Sequence, residues 1–423
     1  MKRSTAVLAI SAAVTATALG AAPAPAATPS ASVTPVITGL NAPRGLAFDT
    51  HGSLYVAESG RWQGTIGPQG PTGEGVTQTG AVTRYAARQR GHGGSAPAFT
   101  PIWRTALTSL YDSENGPEVL GPEGVAATGR DCLAHPRHHH GHHALRRLHH
   151  PGLHTGRCSA LTIMSESRDG FAAGHPGEPV PQQLGQLLAL DARTGRVRGS
   201  LSDVGGQQYA FTGAHPELDP GGQYPDANPY GVLVTRHATY VVDAGANTVS
   251  VVSRSGRTRV LAYIPNDAVS DAAPTCVAQG PDGALYVGAL NFLLNSDLST
   301  TPPGIGENPG HSDVWRIDPR THEDYLHAAH RWATGLTTIT ACTFDRHGDF
   351  WAAEMFQPNA GGPPGDLARV PFAHPTTVER VGGGQLPLPG GVAQGRDGAL
   401  YVTTGSADTT PDAGAVARVA LGG

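Results

Sequence analysis

A string that recurs along the chain constrains the fold more than any other feature. It reads PRGLAFDTHGSLYVAES from Pro43, APTCVAQGPDGALYVGA from Ala273, ITACTFDRHGDFWAAEM from Ile339 and PGGVAQGRDGALYVTTG from Pro389. Each copy consists of an apolar strand, a turn with Gly or Asp, and a second strand of alternating character. Weaker copies begin at Asn228 and at Pro122, and the latter resumes at SALTIMSES after an insertion.

Further strand-like segments complete each repeat. The third strands read GAVTRYA, GQLLALDA, NTVSVVS, SDVWRIDP, GDLARVPF and GAVARVAL, and fourth strands such as TRVLAYI and HRWATGL follow several of them. Six units of about four strands predict an all-β fold, a six-bladed β-propeller. The sixth unit has no fourth strand of its own. We therefore expect the N-terminal strand, residues 33–38, to complete the last blade.

The composition agrees with many short strands and turns. The chain has 57 Gly and 35 Pro among 423 residues, and only 15% of its residues are charged. Good helix formers are scarce, which excludes a coiled coil or a helix bundle. A pI near 6.5 also argues against a nucleic-acid partner. Arginine in place of lysine, with much Ala, Gly and Pro, is typical of a high-GC actinobacterium.

The first residues read as an export signal. Lys2 and Arg3 precede an apolar stretch, and Ala24-Pro25-Ala26 supplies the small residues of a cleavage site. We assign residues 1–26 to a signal peptide and 27–423 to the propeller. The apolar stretch is too short and too rich in Ser and Thr for a transmembrane helix. The sequence therefore predicts a secreted, extracellular monomer without a membrane span.

The repeats also place the loops. In each blade, strand A is innermost and strands B, C and D follow outward, so that B–C and D–A loops share one face. The long B–C segments 59–79, 290–311, 355–364 and 405–413 and the D–A segment 205–227 fall on this loop-rich face. Variable loops on a rigid scaffold are where function concentrates. We expect an unknown small molecule, peptide or polymer to bind there.

Four cysteines fit an oxidising compartment. Cys132 and Cys158 flank one insertion, and a disulfide between them would close it at its base. Cys276 and Cys342 lie on the inner strands of adjacent blades, offset by one position when their turn glycines are aligned. With a side-chain period of two, that offset directs them to opposite sides of their sheets, as an inter-blade disulfide requires. Two buried free thiols are the alternative.

An acid ends strand B in four units: Glu58, Glu166, Asp243 and Glu354. Such a residue commonly caps a turn by accepting backbone N–H bonds. If the four converge at the mouth of the central funnel, they offer oxygen ligands for Ca²⁺, and Asn228 in the NPYG motif is the natural additional member. Acid–base catalysis by these carboxylates is the third interpretation.

The segment HPRHHHGHHALRRLHHPGLH, residues 135–154, lies in an A–B loop on the opposite face, within a His-rich insertion at 133–157. Imidazoles such as His138, His139, His140, His142 and His143 bind Zn²⁺, Cu²⁺ and Ni²⁺. So many interchangeable ligands predict a solvated loop that binds metal adventitiously. Physiological metal capture and a cationic patch that forms at low pH are the alternatives.

The motifs GLNAPRGLAFDTHGSLYVAESG, GPTG, DANPYGVLV, VVDAGANTVSVV and PGGVAQGRDGALYVTTG resemble the ScyD/ScyE family of exported bacterial proteins, relatives of NHL-repeat propellers. The resemblance spans roughly residues 33–420 and implies export and a propeller. It carries no catalytic constellation, and the His-rich insertion departs from the family pattern.

Two function classes follow. The first is a binding or scaffold protein that uses the loop-rich face and needs no cofactor. The second is a Ca²⁺-dependent lactonase, hydrolase or lactone lyase with a carboxylate-lined funnel, similar to the lactonases and streptogramin-lactone lyases of this fold. The catalytic residues are unknown on either interpretation.

Overall fold

Six antiparallel sheets surround a central channel, as the repeats predict. The structure is a computed structural model that describes residues 31–67, 70–88, 96–113, 117–128, 159–219, 222–253, 255–267, 270–293, 309–321, 323–358 and 364–421. The expected signal peptide, the His-rich insertion with its histidines, and both Cys132 and Cys158 lie outside these residues. The fold is a six-bladed β-propeller.

Strands A to D of the first three blades have the following bounds. Blade 1 contains Pro43–Phe48, Leu54–Glu58, Gly75–Arg88 and Ala98–Asp112, with the short strand Glu118–Leu120 added at its outer edge. Blade 2 contains Pro122–Thr128, Ser159–Met164, Gln186–Asp191 and Val197–Asp203. Blade 3 contains Pro229–Val234, Thr239–Asp243, Thr248–Val252 and Thr258–Tyr263.

The remaining blades repeat this order. Blade 4 contains Pro274–Gln279, Leu285–Ala289, Ser312–Ile317 and His330–Leu336. Blade 5 contains Ile339–Phe344, Phe350–Glu354, Gly365–Val370 and Glu379–Leu386. In blade 6, Val392–Gln394, Leu400–Thr404 and Gly414–Leu421 are followed outward by Ala31–Leu40, which pairs antiparallel with Gly414–Leu421.

The loop-rich face carries short elements that the repeats do not predict. Helix α1 (Arg168–Gly174) lies in the B–C loop of blade 2, and helix α2 (Val204–Ala214) lies in the D–A loop that leads to blade 3, followed by the 3-10 turn Pro216–Leu218. Two small strand pairs also lie in loops: Thr65–Gly67 with Gly70–Thr72, and Ser270–Asp271 with Phe292–Leu293. No helix in the described ranges is both long and apolar enough to cross a membrane.

Aromatic side chains from strand B fill the space between blades. Tyr55, Tyr286, Trp351 and Tyr401 are all almost fully buried. Tyr286 packs in one cluster with Phe350 of blade 5, and Tyr401 packs with Leu54 of blade 1, so that this register of strand B forms core between blades.

The inner strands of adjacent blades approach closely at their third residue. A Cβ added to Gly45 would lie 2.6 Å from the carbonyl oxygen of Glu123 in the next blade, and one on Gly231 would lie 2.7 Å from that of Thr275. Only glycine permits this approach without a shift.

Blade 4 departs from this pattern. Its third residue is Cys276, which forms a disulfide with Cys342, the fourth residue of the inner strand of blade 5, with 5.6 Å between the Cα atoms. The expected inter-blade disulfide is confirmed. The seam between blades 4 and 5 is therefore covalently closed.

Candidate functional site

Each of the first five inner strands bulges at its second residue. In blade 1, for example, Pro43 pairs with Glu58 and Gly45 pairs with Ala57, so that Arg44 is the unpaired extra residue. A bulge redirects the side chain of its extra residue, and bulges are frequent beside functional sites. The bulged residues line the upper channel and are here called the mouth ring: Arg44, Glu123, Tyr230, Thr275 and Thr340.

Charge in the mouth ring is concentrated at blades 1 and 2. Arg44 Nη1 donates to both carboxylate oxygens of Glu123 at 3.0 Å, and Arg44 Nη2 lies 3.8 Å from Glu118 Oε1. All three side chains are buried. Burial raises the pKa of Glu118 and of Glu123, although Arg44 opposes both shifts. One buried cation therefore faces two buried carboxyl groups.

The threonines of the mouth ring join neighbouring blades. Thr275 Oγ1 donates to the carbonyl of Ile339 at 2.6 Å, and Thr340 Oγ1 donates to that of Pro389 at 2.8 Å. This ring is not among the features predicted from the sequence. The sequence does mark the position. In each repeat, the inner-strand segment begins with Pro or Ile and has a small residue in third place, and the residue between them varies in the order Arg, Glu, Tyr, Thr, Thr and Gly.

Glu58, Asp243 and Glu354 end strand B as expected, whereas strand B of blade 2 ends at Met164 and Glu166 lies two residues beyond it. The four acids fall into two groups, of which the first is paired with arginine. Glu354 accepts from Arg380 Nε at 2.7 Å and from the backbone N–H of Thr337 at 2.7 Å. Glu58 accepts from the backbone N–H of Asn41 at 2.9 Å and lies 3.3 Å from Arg104 Nη2. Both carboxylates thus brace the turn that enters their own blade.

The second group lies at the boundary of blades 2 and 3 and has no arginine. Asn228 connects its members: the Asn228 backbone N–H donates to Asp243 Oδ1 at 2.7 Å, and its side-chain oxygen accepts from the Glu166 backbone N–H at 3.3 Å. Asp226 enters the same group, because a Cβ on Gly245 would meet both Asp226 Oδ2 and Asn228 N at 2.8 Å. We call Glu166, Asp226, Asp243 and Asn228 the acidic recess.

Two carboxylate oxygens of the acidic recess have no hydrogen-bond partner among the described residues. Asp226 Oδ1 and Asp243 Oδ2 are both buried and unpaired. Within the described ranges, no ion pair involves Glu166, Asp226 or Asp243. A buried carboxylate without a partner is costly, so this arrangement requires a physical explanation.

Burial dominates the acid–base behaviour of the acidic recess. It raises the pKa of Glu166 and of Asp243 to about 7, and hydrogen bonds from backbone N–H groups oppose both shifts. The pKa of Asp226 is raised well above its ordinary value by burial and then by the charges of Glu166 and Asp243. The three groups are close enough to repel one another when ionised.

The five residues expected to hold a metal are thus distributed around the mouth. Glu166, Asp243 and Asn228 are neighbours, whereas Glu58 and Glu354 lie in blades 1 and 5 beside their own arginines. In the part of the chain that the structure describes, no three Asp, Glu, His or Cys side chains are arranged as a metal-binding group. Binding of an ion at the acidic recess would require its carboxylates to close around the ion.

Solved structures of similar fold align with most of the chain. A protein described as an oxidoreductase (glucose dehydrogenase) from Thermus thermophilus is 15% identical, with coverage of 92% of this chain and 100% of its own, and has a TM-score of 0.50. A gluconolactonase from Xanthomonas campestris is 11% identical, with coverage of 93% and 90%, and has a TM-score of 0.45. Similarity at this level shows the propeller fold alone. No family model and no curated protein matches the sequence.

Proposed function

We propose that this protein is an exported binding propeller that takes the cationic group of a small ligand at the acidic recess on its loop-rich face. The observation that carries the proposal is the pair of buried, unpaired oxygens, Asp226 Oδ1 and Asp243 Oδ2. An ammonium group brings one positive charge and three N–H donors, and it can therefore partner several carboxylate oxygens at once.

The surroundings of the recess favour a ligand of this charge. Glu118 interacts electrostatically with Glu166, so that the acidic character extends from the recess to the mouth ring. Arg44 is already engaged with Glu123, and Arg168 on α1 is engaged with Asp203. Among the described residues, the acids of the recess thus have no cation in ion-pair contact, and a ligand cation would offset their mutual repulsion.

The second candidate is a Ca²⁺-dependent hydrolase or lactone lyase. It is favoured by the same unpaired oxygens, because Ca²⁺ prefers oxygen ligands at flexible positions. Glu166, Asp226 and Asp243 would hold the ion together with Asn228. A bound Ca²⁺ ion would polarise a substrate carbonyl. The chain's own contribution would be to fix Asn228 through its bond to Asp243 and to keep the carboxylates away from water.

Thermal unfolding distinguishes these candidates. The purified protein is first treated with EDTA and is then melted alone, with Ca²⁺, or with 1,4-diaminobutane. A ligand at about 100 times its Kd stabilises a protein by roughly 2.7 kcal/mol, which a melt resolves. The matched variants are Asp226→Asn in the recess and Glu74→Gln, an exposed acid on the same face.

A shift with the diamine that Asp226→Asn abolishes and Glu74→Gln retains supports the binding propeller. A shift with Ca²⁺ alone, accompanied by Ca²⁺-dependent hydrolysis of glucono-1,5-lactone, supports the enzyme. If neither probe shifts the melt, or if Asp226→Asn shifts as much as the unmodified protein, the recess is not the ligand site.

A further inference from the structure

The central channel contains two cavities, and no residue of the acidic recess lines either of them. Six residues, one from each inner strand, form an apolar belt across the channel: Leu46, Val125, Val232, Val277, Cys342 and Val392. Above the belt, at the mouth ring, the cavity volume is only about 80 Å³. Below it, toward the A–B turns, lies a lower chamber of about 530 Å³. Pockets for small molecules commonly measure about 300–1,000 Å³.

The wall of the lower chamber combines apolar side chains with backbone groups. Phe48, Leu233, Val234 and Phe344 line it and are only half-buried. Because each inner strand is the last strand of its sheet, one edge of its backbone has no neighbouring strand. The chamber therefore offers apolar surface to the body of a ligand and hydrogen-bonding groups along its length.

The rim of the chamber presents a cation. Arg346 is exposed, lines the chamber and makes no ion pair with any described residue. Its neighbour Asp345 is engaged within its own turn, since it accepts from the backbone N–H of His347 and Asp349 and from Trp351 Nε1. Arg346 Nε contacts His347 Nε2 at 3.4 Å. Among the described residues, the charge of Arg346 has no ion-pair partner.

We propose that the lower chamber is a binding site for an amphiphilic organic anion. Its aromatic or aliphatic body lies among Phe48, Leu233 and Phe344, and its carboxylate or sulfonate faces Arg346. A guanidinium can donate two parallel N–H bonds to such a head group. The site is independent of the acidic recess, from which the apolar belt separates it, and it carries the opposite charge at its rim.

Two fluorescent probes of similar body and different charge test the proposal on the full chain. The anionic probe is 1-anilinonaphthalene-8-sulfonate, and the neutral probe is N-phenyl-1-naphthylamine. We expect the anionic probe to bind at one saturable site, with Arg346→Gln weakening it about tenfold and leaving the neutral probe unchanged. Arg193→Gln is the matched control, because Arg193 is an exposed arginine on a C–D turn of the same face, outside the chamber.

A variant that fills the chamber completes the test. Val234→Trp, at a half-buried position of the wall, should abolish binding of both probes, and Thr343→Trp on another blade should do the same if Val234→Trp does not fold. Folding is checked by an unchanged melting temperature. If neither probe saturates, if a folded chamber-filling variant binds as well as the unmodified protein, or if Arg193→Gln matches Arg346→Gln, the proposal is wrong.

Discussion

Glu354 in blade 5 and Asp243 in blade 3 occupy the same place in the repeat and meet different surroundings. Each ends strand B, is buried and braces the turn that enters its own inner strand. Glu354 has Arg380 beside it as well as one acidic neighbour, Asp366, whereas Asp243 has an unpaired Oδ2, two acidic neighbours and no arginine in ion-pair contact among the described residues. The repeat therefore provides the carboxylate that braces the turn, whereas the charges around that carboxylate depend on residues outside the repeat.

The largest expected effect comes from removing the paired acid. Glu354→Gln removes the ion pair with Arg380, whose side chain is 26% exposed and also interacts with Asp366. Breaking a fully buried ion pair typically costs about 3–5 kcal/mol, which is the upper bound here. We expect a loss up to that bound in the free energy of unfolding, measured by urea denaturation. Glu166→Gln, in the acidic recess and two residues beyond Met164, which holds the equivalent position of blade 2, is the control and should cost little or stabilise the fold at pH 8. Equal losses in both variants would contradict the distinction between the acid paired with arginine and the acids of the recess.

The unpaired acids should make stability depend on pH. The pKa of Asp243 is about 7 in the folded protein and lower in the unfolded chain, so the unfolded chain releases its proton first. Stability therefore falls as pH rises from about 4 to 7 and is constant above that range. From the ordinary value of 3.8 to about 7, at 1.36 kcal/mol for each pKa unit, the loss is at most about 4 kcal/mol for this group.

The measurement is the difference in the free energy of unfolding between the unmodified protein and the Asp243→Asn variant across pH 4.5–8. The amide introduced by this substitution retains an oxygen for the backbone N–H groups of Asn228 and Ala246. We expect the variant to gain relative stability with rising pH. Parallel curves would mean that Asp243 is not held protonated by its surroundings.

A smaller effect is expected at Glu58. Its arginine, Arg104, has 44% of its side chain exposed, so water screens the ion pair. Glu58→Gln also retains an acceptor for the Asn41 N–H. We expect a loss of about 1 kcal/mol in urea denaturation, well below that of Glu354→Gln. A loss as large as that of Glu354→Gln would show that exposure of the partner arginine does not decide the cost of removing the charge.

The blade count and the inter-blade disulfide could be predicted from the sequence, because both depend on a period of two and on repeats that are visible as letters. The mouth ring is marked in the sequence only as one variable position of the repeat, because a bulge at Arg44 or Glu123 shifts the backbone register without changing the repeat. Asp226 was missed because it lies in a long D–A loop without periodicity. The helices were missed because they are short, although Ser167 and Asp203 are ordinary N-caps.

The arginines of the paired acids were also beyond the reach of the sequence. Arg104 and Arg380 lie on strand D, two strands away from the acids that they contact. Strand D is the least repeated strand, and register shifts separate it from strand B. Which acid acquires a partner therefore depends on geometry that the repeated letters do not encode.

The bulge at the second residue of the inner strands has a consequence for how such a protein can diversify. The extra residue has no partner on the neighbouring strand. Its side chain can therefore change without affecting the strand pairing that holds the blade together. Arg, Glu, Tyr and Thr all stand at this place in one chain. The propeller thus presents a ring of positions around its central channel at which substitution can change the side chains that line the mouth while the β-sheets are retained.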